Sequence, residues 1–392
     1  MRWLAALLLA LAVGAPAYSR ASVSKEMAVA DYAADARALD QIVVENYAYL
    51  DRFIGGVPPR SAKLDAMREA VSDRRTLLAY AEAVMASLAD HHAITGSSFG
   101  DSWAVIPSYA DLWIVRVGDA YLVDAVRAGS EAESKGIASG DRLAAVGDVP
   151  VDRAIDAYWA EIGLQAGDAD RDAFAARVLA AGRRDRPRDL SFSRDGIIRR
   201  LTLATLYREA AERPPVTVSK SNGGTVIAIN NALGDDGTIA AFDAAMANID
   251  RNAPVEIDLT DTPSGGNTVI ARAIIGWFVT EPSGYQVHAL PAERRRTGID
   301  RQWIEQVLPR AGKHHRGPVT VRVGRWTGSM GEGLAIGFDA IGARVIGDPM
   351  AGLLGAVYDF RLPSSGLVVK LPAERLTAVD GTPREAFTPK SH

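Results

Sequence analysis

Cysteine is absent from all 392 residues. That excludes disulfides, thiolate metal sites, a cysteine nucleophile and a lipoprotein anchor together, and leaves packing as the source of stability. Charge of one sign is scarce as well: 44 Lys and Arg stand against 48 Asp and Glu, for a net charge of -4. Such a balance offers no general attraction to phosphate backbones. The basic runs Arg294 to Arg296 and Lys313 to Arg316 are too short to change this and read as solvated loop faces. After the N-terminus no apolar run is long enough to span a bilayer. The G-x-G-x-x-G spacing of a dinucleotide loop and the H-E-x-x-H spacing of a zinc protease are both missing. Among six histidines only His91-His92 and His314-His315 are adjacent. No metal and no cofactor is expected.

What is present is a folded composition, 48% hydrophobic and 23% charged, long enough for two or three domains. Met1-Arg2-Trp3, the apolar stretch Leu4 to Val13 and Ala15-Pro16-Ala17 have the order of a secretory signal peptide, placed at residues 1–21. The mature chain is therefore expected in the periplasm or secreted, with no stable membrane span after cleavage. Residues 22–100 read as a helical region. Its clearest stripe is Leu77, Leu78, Ala81, Val84, Met85 and Leu88, with Thr76 as a candidate cap. It runs out at Asp90-His91-His92-Ala93.

Residues 101–207 change texture to short strands and Gly turns, with a short helix Glu131 to Lys135 leading to the turn Gly136 to Asp141. A charged, Pro-containing linker, Arg208 to Pro215, follows. Residues 208–392 then alternate in type. Strands are expected at Thr225 to Asn230, Val255 to Leu259, Val319 to Val323 and Arg344 to Ile346. Helices are expected at Ile239 to Ile249, Thr268 to Val279, Trp303 to Leu308 and Met330 to Ile341. A hairpin joins Ala356 to Arg361 with Leu367 to Leu371. That alternation implies an α/β fold with a largely parallel sheet.

Two turns in this last region carry chemistry. Val323 to Leu334, V-G-R-W-T-G-S-M-G-E-G-L, takes a strand through a tight turn into a helix and presents Ser329 where the strand becomes helix. The N–H groups of the following helical turn lie beside such a side chain, ready for a developing oxyanion. The second turn, Asp261 to Asn267, contains Gly265-Gly266, whose backbone can approach a substrate closely. Both follow strands of one parallel sheet, so they are expected at the same edge.

The segments D-L-T-D-T-P-S-G-G-N-T, T-G-S-M-G-E-G-L-A and V-D-G-T-P-R-E-A-F-T-P together resemble the C-terminal-processing (tail-specific) serine protease family. Arg127 to Val151 resembles a PDZ domain of the bacterial protease type, with Glu131 in place of the usual Pro. The resemblance implies a crotonase/ClpP-like catalytic domain with an N-terminal helical region and an inserted β-rich PDZ-like domain that takes an extended peptide. It implies Ser329 as nucleophile, and the Met330 N–H with Gly265 or Gly266 as oxyanion donors. One branch of the family uses a lysine about 25 residues after the serine, but Leu354 stands there, and Lys370 reads as an exposed strand lysine. The other branch, similar to the tricorn core protease, uses a histidine that matches His92, with His91 replacing the family's serine. Imidazole suits a general base near neutral pH. Glu385 is the implied group that orients His92, with Asp380 as fallback, and Glu332 braces the turn. The expected activity is that of a serine endopeptidase or C-terminal processing protease on a peptide or protein substrate. The alternatives are a catalytically inactive, protease-like peptide-binding scaffold and a carrier of small apolar ligands.

Overall fold

The computed structural model describes residues 30–207, 213–221 and 223–390. The signal-peptide expectation and most of the Arg208 to Pro215 linker fall outside the described residues. From Asp31 onward the chain forms one compact unit.

Three helices open it, Tyr32–Asn46, Ala62–Glu69 and Arg74–Ser87. The expected stripe on the third is buried against Leu39 and Val43 of the first and against the hairpin residues Leu362 to Leu371. Each such fully buried Leu or Val contributes roughly 1.5–3 kcal/mol. The cap of the third helix is Asp73 rather than Thr76: Asp73 Oδ1 accepts the Thr76 N–H at 2.7 Å, and Thr76 Oγ1 accepts the Asp73 N–H at 3.1 Å. Thr76 is thus the reciprocal third residue of a capping box. Beyond Ser87 the chain turns sharply at Ala89, whose φ is 47°, and delivers Asp90, His91 and His92 away from the helix axis.

Residues 112–203 build a six-stranded antiparallel sheet in the order Leu112–Val117, Ala120–Val126, Arg142–Val146, Arg188–Arg194, Ile197–Leu203, with Val149–Pro150 beside the third of these. The texture expected for this stretch omitted two helices, Val151–Ala160 and Ala169–Ala181. The first was signalled by Val151, Ala154, Ile155, Tyr158 and Trp159, spaced three and four apart and all buried. The core beneath this sheet also takes in Trp326, Ala351 and Leu353 from the far end of the chain.

The α/β part contains the expected parallel sheet, Gly224–Ile229, Val255–Asp258, Val319–Val323 and Arg344–Gly347 side by side, with Val216–Ser221 antiparallel at one edge. Val255 pairs with Val319 and Asp258 with Arg322. The ends of these two neighbouring strands therefore deliver their loops to one place. Trp303 to Leu308 is not a helix: Gln302–Val307 is a strand between exposed and half-buried alternating positions, paired with Ser283–Ala289 in a second, antiparallel sheet. The alternation of Trp303, Glu305 and Val307 against Gln302, Ile304 and Gln306 is a two-residue period, which a helix cannot use. Lys313 to Arg316 is likewise not a solvated face, since Lys313 is paired to Asp243 and His315 is buried.

Candidate active site

Ser329 occupies the turn between Val319–Val323 and the helix Met330–Ala340, with φ 52° and ψ -112°. A non-glycine residue held there costs about 1–3 kcal/mol and persists only where its surroundings fix it. Three sets of bonds do so. Thr262 N–H donates to the Trp326 carbonyl at 2.9 Å and Gly328 N–H to the Thr262 carbonyl at 3.2 Å, which zips the Ser329 turn to the Gly265-Gly266 loop. Thr327 Oγ1 donates to the Leu259 carbonyl at 2.8 Å. Glu332, fully buried, accepts the Ser329 N–H on Oε2 at 2.8 Å and the Gly352 N–H on Oε1 at 2.8 Å.

The two side chains singled out in sequence lie together: His92 Nε2 is 3.1 Å from Ser329 Oγ. Across the ring, Nδ1 is 2.7 Å from the Leu354 carbonyl oxygen. A carbonyl only accepts, so Nδ1 carries the proton and Nε2 presents its lone pair to the hydroxyl. Burial, reinforced by the nearby Arg384 guanidinium, pushes the His92 ring down to about 4 against the opposing pull of the Leu354 carbonyl. The backbone of His92 is fixed by Asp90, whose Oδ1 accepts the His92 N–H at 2.9 Å while Oδ2 accepts the Tyr47 hydroxyl at 2.9 Å. Burial raises the Asp90 carboxyl to about 6. His91 points elsewhere, accepting the Arg177 Nε–H at 2.8 Å and stacking on Phe174 at 4.4 Å.

Glu385 is not where the sequence reading put it. The Nδ1 face of His92 belongs to Leu354, and Glu385 Oε2 is buried with no hydrogen-bond partner among the described residues. Its charge is felt instead by Asp90 and Tyr49. Asp380 is exposed and accepts the Thr382 N–H.

Arg384, next to Glu385 and missed in the sequence, is buried and holds the loop that meets His92: Nη2 donates to the Leu353 carbonyl at 2.9 Å and to the Gly355 carbonyl at 2.7 Å, on either side of Leu354. It also stands 3.9 Å from Glu332. One buried ion pair therefore links the Ser329 turn, the Leu354 carbonyl and the C-terminal segment. Burial pushes the Glu332 carboxyl up to about 7, against the pull of Arg384 and three backbone N–H groups.

The Gly-Gly loop divides its labour. Gly265, at φ 69°, lies so close that a Cβ on it would stand 2.5 Å from Ser329 Cβ and 3.1 Å from the Met330 nitrogen. A Cβ on Gly266 would instead run into the Leu233 carbonyl at 1.9 Å. Among the described residues no acceptor takes the N–H of Met330, Gly265 or Gly266. Met330 opens its helix, so its N–H has no intrahelical partner and is free to face a ligand.

No family model and no curated protein matches the sequence. Solved structures do. The photosystem II D1 C-terminal processing protease is similar over 93% of both chains at 15% identity, with a TM-score of 0.54. Mature CPAF complexed with lactacystin is similar over 92% of this chain and 93% of that one at 12% identity, also with a TM-score of 0.54. Likeness at such identity speaks for architecture: this mixed α/β chain shares its fold, nearly end to end, with C-terminal processing peptidases.

Proposed function

We propose that the protein is a secreted or periplasmic serine endopeptidase of the C-terminal processing kind. Its catalytic part is crotonase/ClpP-like, and residues 101–207 form an inserted PDZ-like domain. Ser329 Oγ attacks the scissile carbonyl while His92 Nε2 takes its proton. The oxyanion is received by the N–H groups of Met330 and Gly265. Collapse expels the amine, which leaves with the proton from His92, and water then hydrolyses the acyl-enzyme by the same steps in reverse. Leu354 sets the tautomer that a carboxylate sets in the Ser-His-Asp arrangement. Glu385 stays near enough to influence the site through Asp90 rather than through the imidazole. The localisation rests on the sequence of residues 1–17.

The single observation that carries the reading is the 3.1 Å approach of His92 Nε2 to Ser329 Oγ across 237 residues of chain. The PDZ-like reading is supported by the edge strand Leu112–Val117, which among the described strands pairs only with Ala120–Val126. The helix Ala169–Ala181 lies against it, and a cavity of about 420 Å³ has lining residues from both. An extended peptide adds to such an edge as a further strand.

A fluorophosphonate probe tests the chemistry. Labelling should occur on the mature protein, vanish in Ser329→Ala and fall by about a hundredfold or more in His92→Ala. Absence of labelling in the unaltered protein would overturn the enzyme and leave the peptide-binding scaffold, the reading that the missing lysine at Leu354 favours.

A further inference from the structure

The turn that presents His92 is held from behind. Past Ala89, the Asp90 carbonyl accepts the Ala93 N–H at 3.1 Å, and the Asp90 side chain folds back so that Oδ1 accepts the His92 N–H at 2.9 Å. Its other oxygen, Oδ2, accepts the Tyr47 hydroxyl at 2.9 Å, across 43 residues of chain. That hydroxyl in turn accepts the Arg52 Nη1–H at 2.9 Å, and Arg52 also donates to the Leu88 and Ala89 carbonyls, each at 3.4 Å. Asp90 and Tyr47 are both buried. One line of bonds therefore runs from the guanidinium through the phenol and the carboxylate to the backbone of His92.

Its order depends on a single proton. A carboxylate accepts at both oxygens, so the Tyr47 O–H and the His92 N–H are each served while the phenol oxygen faces Arg52. Once protonated, the same group is a donor at one oxygen and a weaker acceptor at the other, and in a buried site the phenol and the His92 N–H compete for what is left. Burial favours that acid form and brings the carboxyl up to about 6, against the pull of the His92 N–H, Arg52 and Tyr47, while Glu385 from the C-terminal segment pushes the same way as burial. Tyr49, whose hydroxyl is buried without a partner among the described residues, is raised by burial and stays neutral. On the other side of the turn, burial keeps His91 neutral beside Arg177, and Asp170 supports the charge of Arg52.

We propose that Arg52, Tyr47 and Asp90 are positioning residues that hold His92 against Ser329 while Asp90 is ionised and release it when Asp90 takes up a proton. The inference rests on the peptidase reading and adds its regulation: acid switches the site off from behind the imidazole rather than at it. The imidazole itself, pushed down to about 4, is neutral on both sides of that change.

The test reads the turn and the chemistry separately. With histidine isotope-labelled at the backbone nitrogen, the His92 amide signal, assigned by its loss in His92→Gln, should titrate with a midpoint near 6. Tyr47→Phe should raise that midpoint and Glu385→Gln should lower it, each by about half a pH unit or more. Glu332→Gln, which removes the other buried carboxyl raised into this range, should leave it in place. Fluorophosphonate labelling should slow by about tenfold or more between about pH 7.5 and about pH 5, with the same midpoint and the same displacements. Asp90→Asn, isosteric with the protonated acid, should label at the slow rate at both ends of that range. A midpoint below about 4.5, or one that neither Tyr47→Phe nor Glu385→Gln moves, would overturn the proposal, as would an unaltered acid limb in Asp90→Asn. Should Asp90→Asn fail to fold, the titrations of the other two variants still decide. An amide that titrates as expected in a protein that never labels keeps the clamp on His92 and removes the peptidase, whereas labelling with an amide that stays flat through this range does the reverse.

Discussion

At the scale of single residues, the histidine sets the terms. A ring pushed down to about 4 is neutral, and so competent to take a proton, throughout the range in which an ordinary histidine at 6.5 begins to lose that competence. Its weakness is the reverse of that strength, because the imidazolium that the proposed mechanism requires faces a neutral carbonyl and a positive Arg384. NMR titration of the His92 ring should therefore place its midpoint below about 5, with an upward move in Arg384→Met and a return towards the starting value in Arg384→Lys. A midpoint near 6.5 in the unaltered protein would contradict the geometry. Glu332 works in the opposite sense. Its folded value of about 7 lies above the ordinary 4.5, so folding favours the protonated form. The stability this gives is complete below about pH 4.5 and lost as pH rises through about 7. The gap is worth roughly 3 kcal/mol. In Glu332→Gln the amide NH₂ must face the N–H of either Ser329 or Gly352, so the variant is less stable overall, yet its urea-unfolding free energy should lack that fall between pH 5 and 8. Parallel pH profiles for the two proteins would remove the assignment.

At the scale of elements, the two glycines of the 265–266 loop separate chemistry from folding. Gly265→Ala would drive a methyl group against Ser329 while forcing a positive φ on alanine, and should lower the rate of fluorophosphonate labelling by about a hundredfold with a modest loss of stability. Gly266→Ala would collide with the Leu233 backbone, away from Ser329, and should chiefly lower the melting temperature. Gly298→Ala, also at positive φ but with open space around it, controls for backbone strain alone. Equal effects of the first two on labelling and melting would show that the loop does not divide in this way. These loops were legible because glycine, serine and strand ends leave local signatures. The Leu354 carbonyl was not, since a backbone acceptor can sit under any side chain, and the sequence reading looked for a carboxylate. Arg384 was missed for a related reason: its partners are carbonyls about thirty residues away in sequence. The strand Gln302–Val307 was mistaken for a helix because six residues are too few to separate the two periods by apolar content, and the alternation is one of burial that the residue types hide, with Ile304 facing out and Glu305 in.

At the scale of the whole molecule, the β-rich region and the α/β part meet through charges at the site's rim. Asp261, in the loop that leads to Gly265, receives Arg127 at 2.6 Å from one side and Arg213 at 2.7 Å from the other, and Arg127 also holds the Ser108 carbonyl at 3.0 Å. Trp326, in the Ser329 turn, donates from Nε1 to the Ala110 carbonyl at 2.7 Å. The indole bond is buried and fixed, whereas the Asp261 carboxylate is about a third exposed and its Arg213 partner nearly half exposed. Exposed pairs contribute about 0.2–1 kcal/mol each, so the Asp261 cluster adds little to global stability. Its effect is local: through Arg127 it ties the loop that carries Gly265 to the β-rich region. In Asp261→Asn the melting temperature should change by no more than a few degrees, while amide hydrogen exchange across residues 259–267 speeds up and kcat for a peptide substrate falls more than KM rises, because the donor rather than the binding groove is loosened. Unchanged exchange in that segment, with the kinetic effect confined to KM, would mean that the loop is held by the Thr262 and Thr327 bonds alone and that the two regions communicate only through the buried tryptophan.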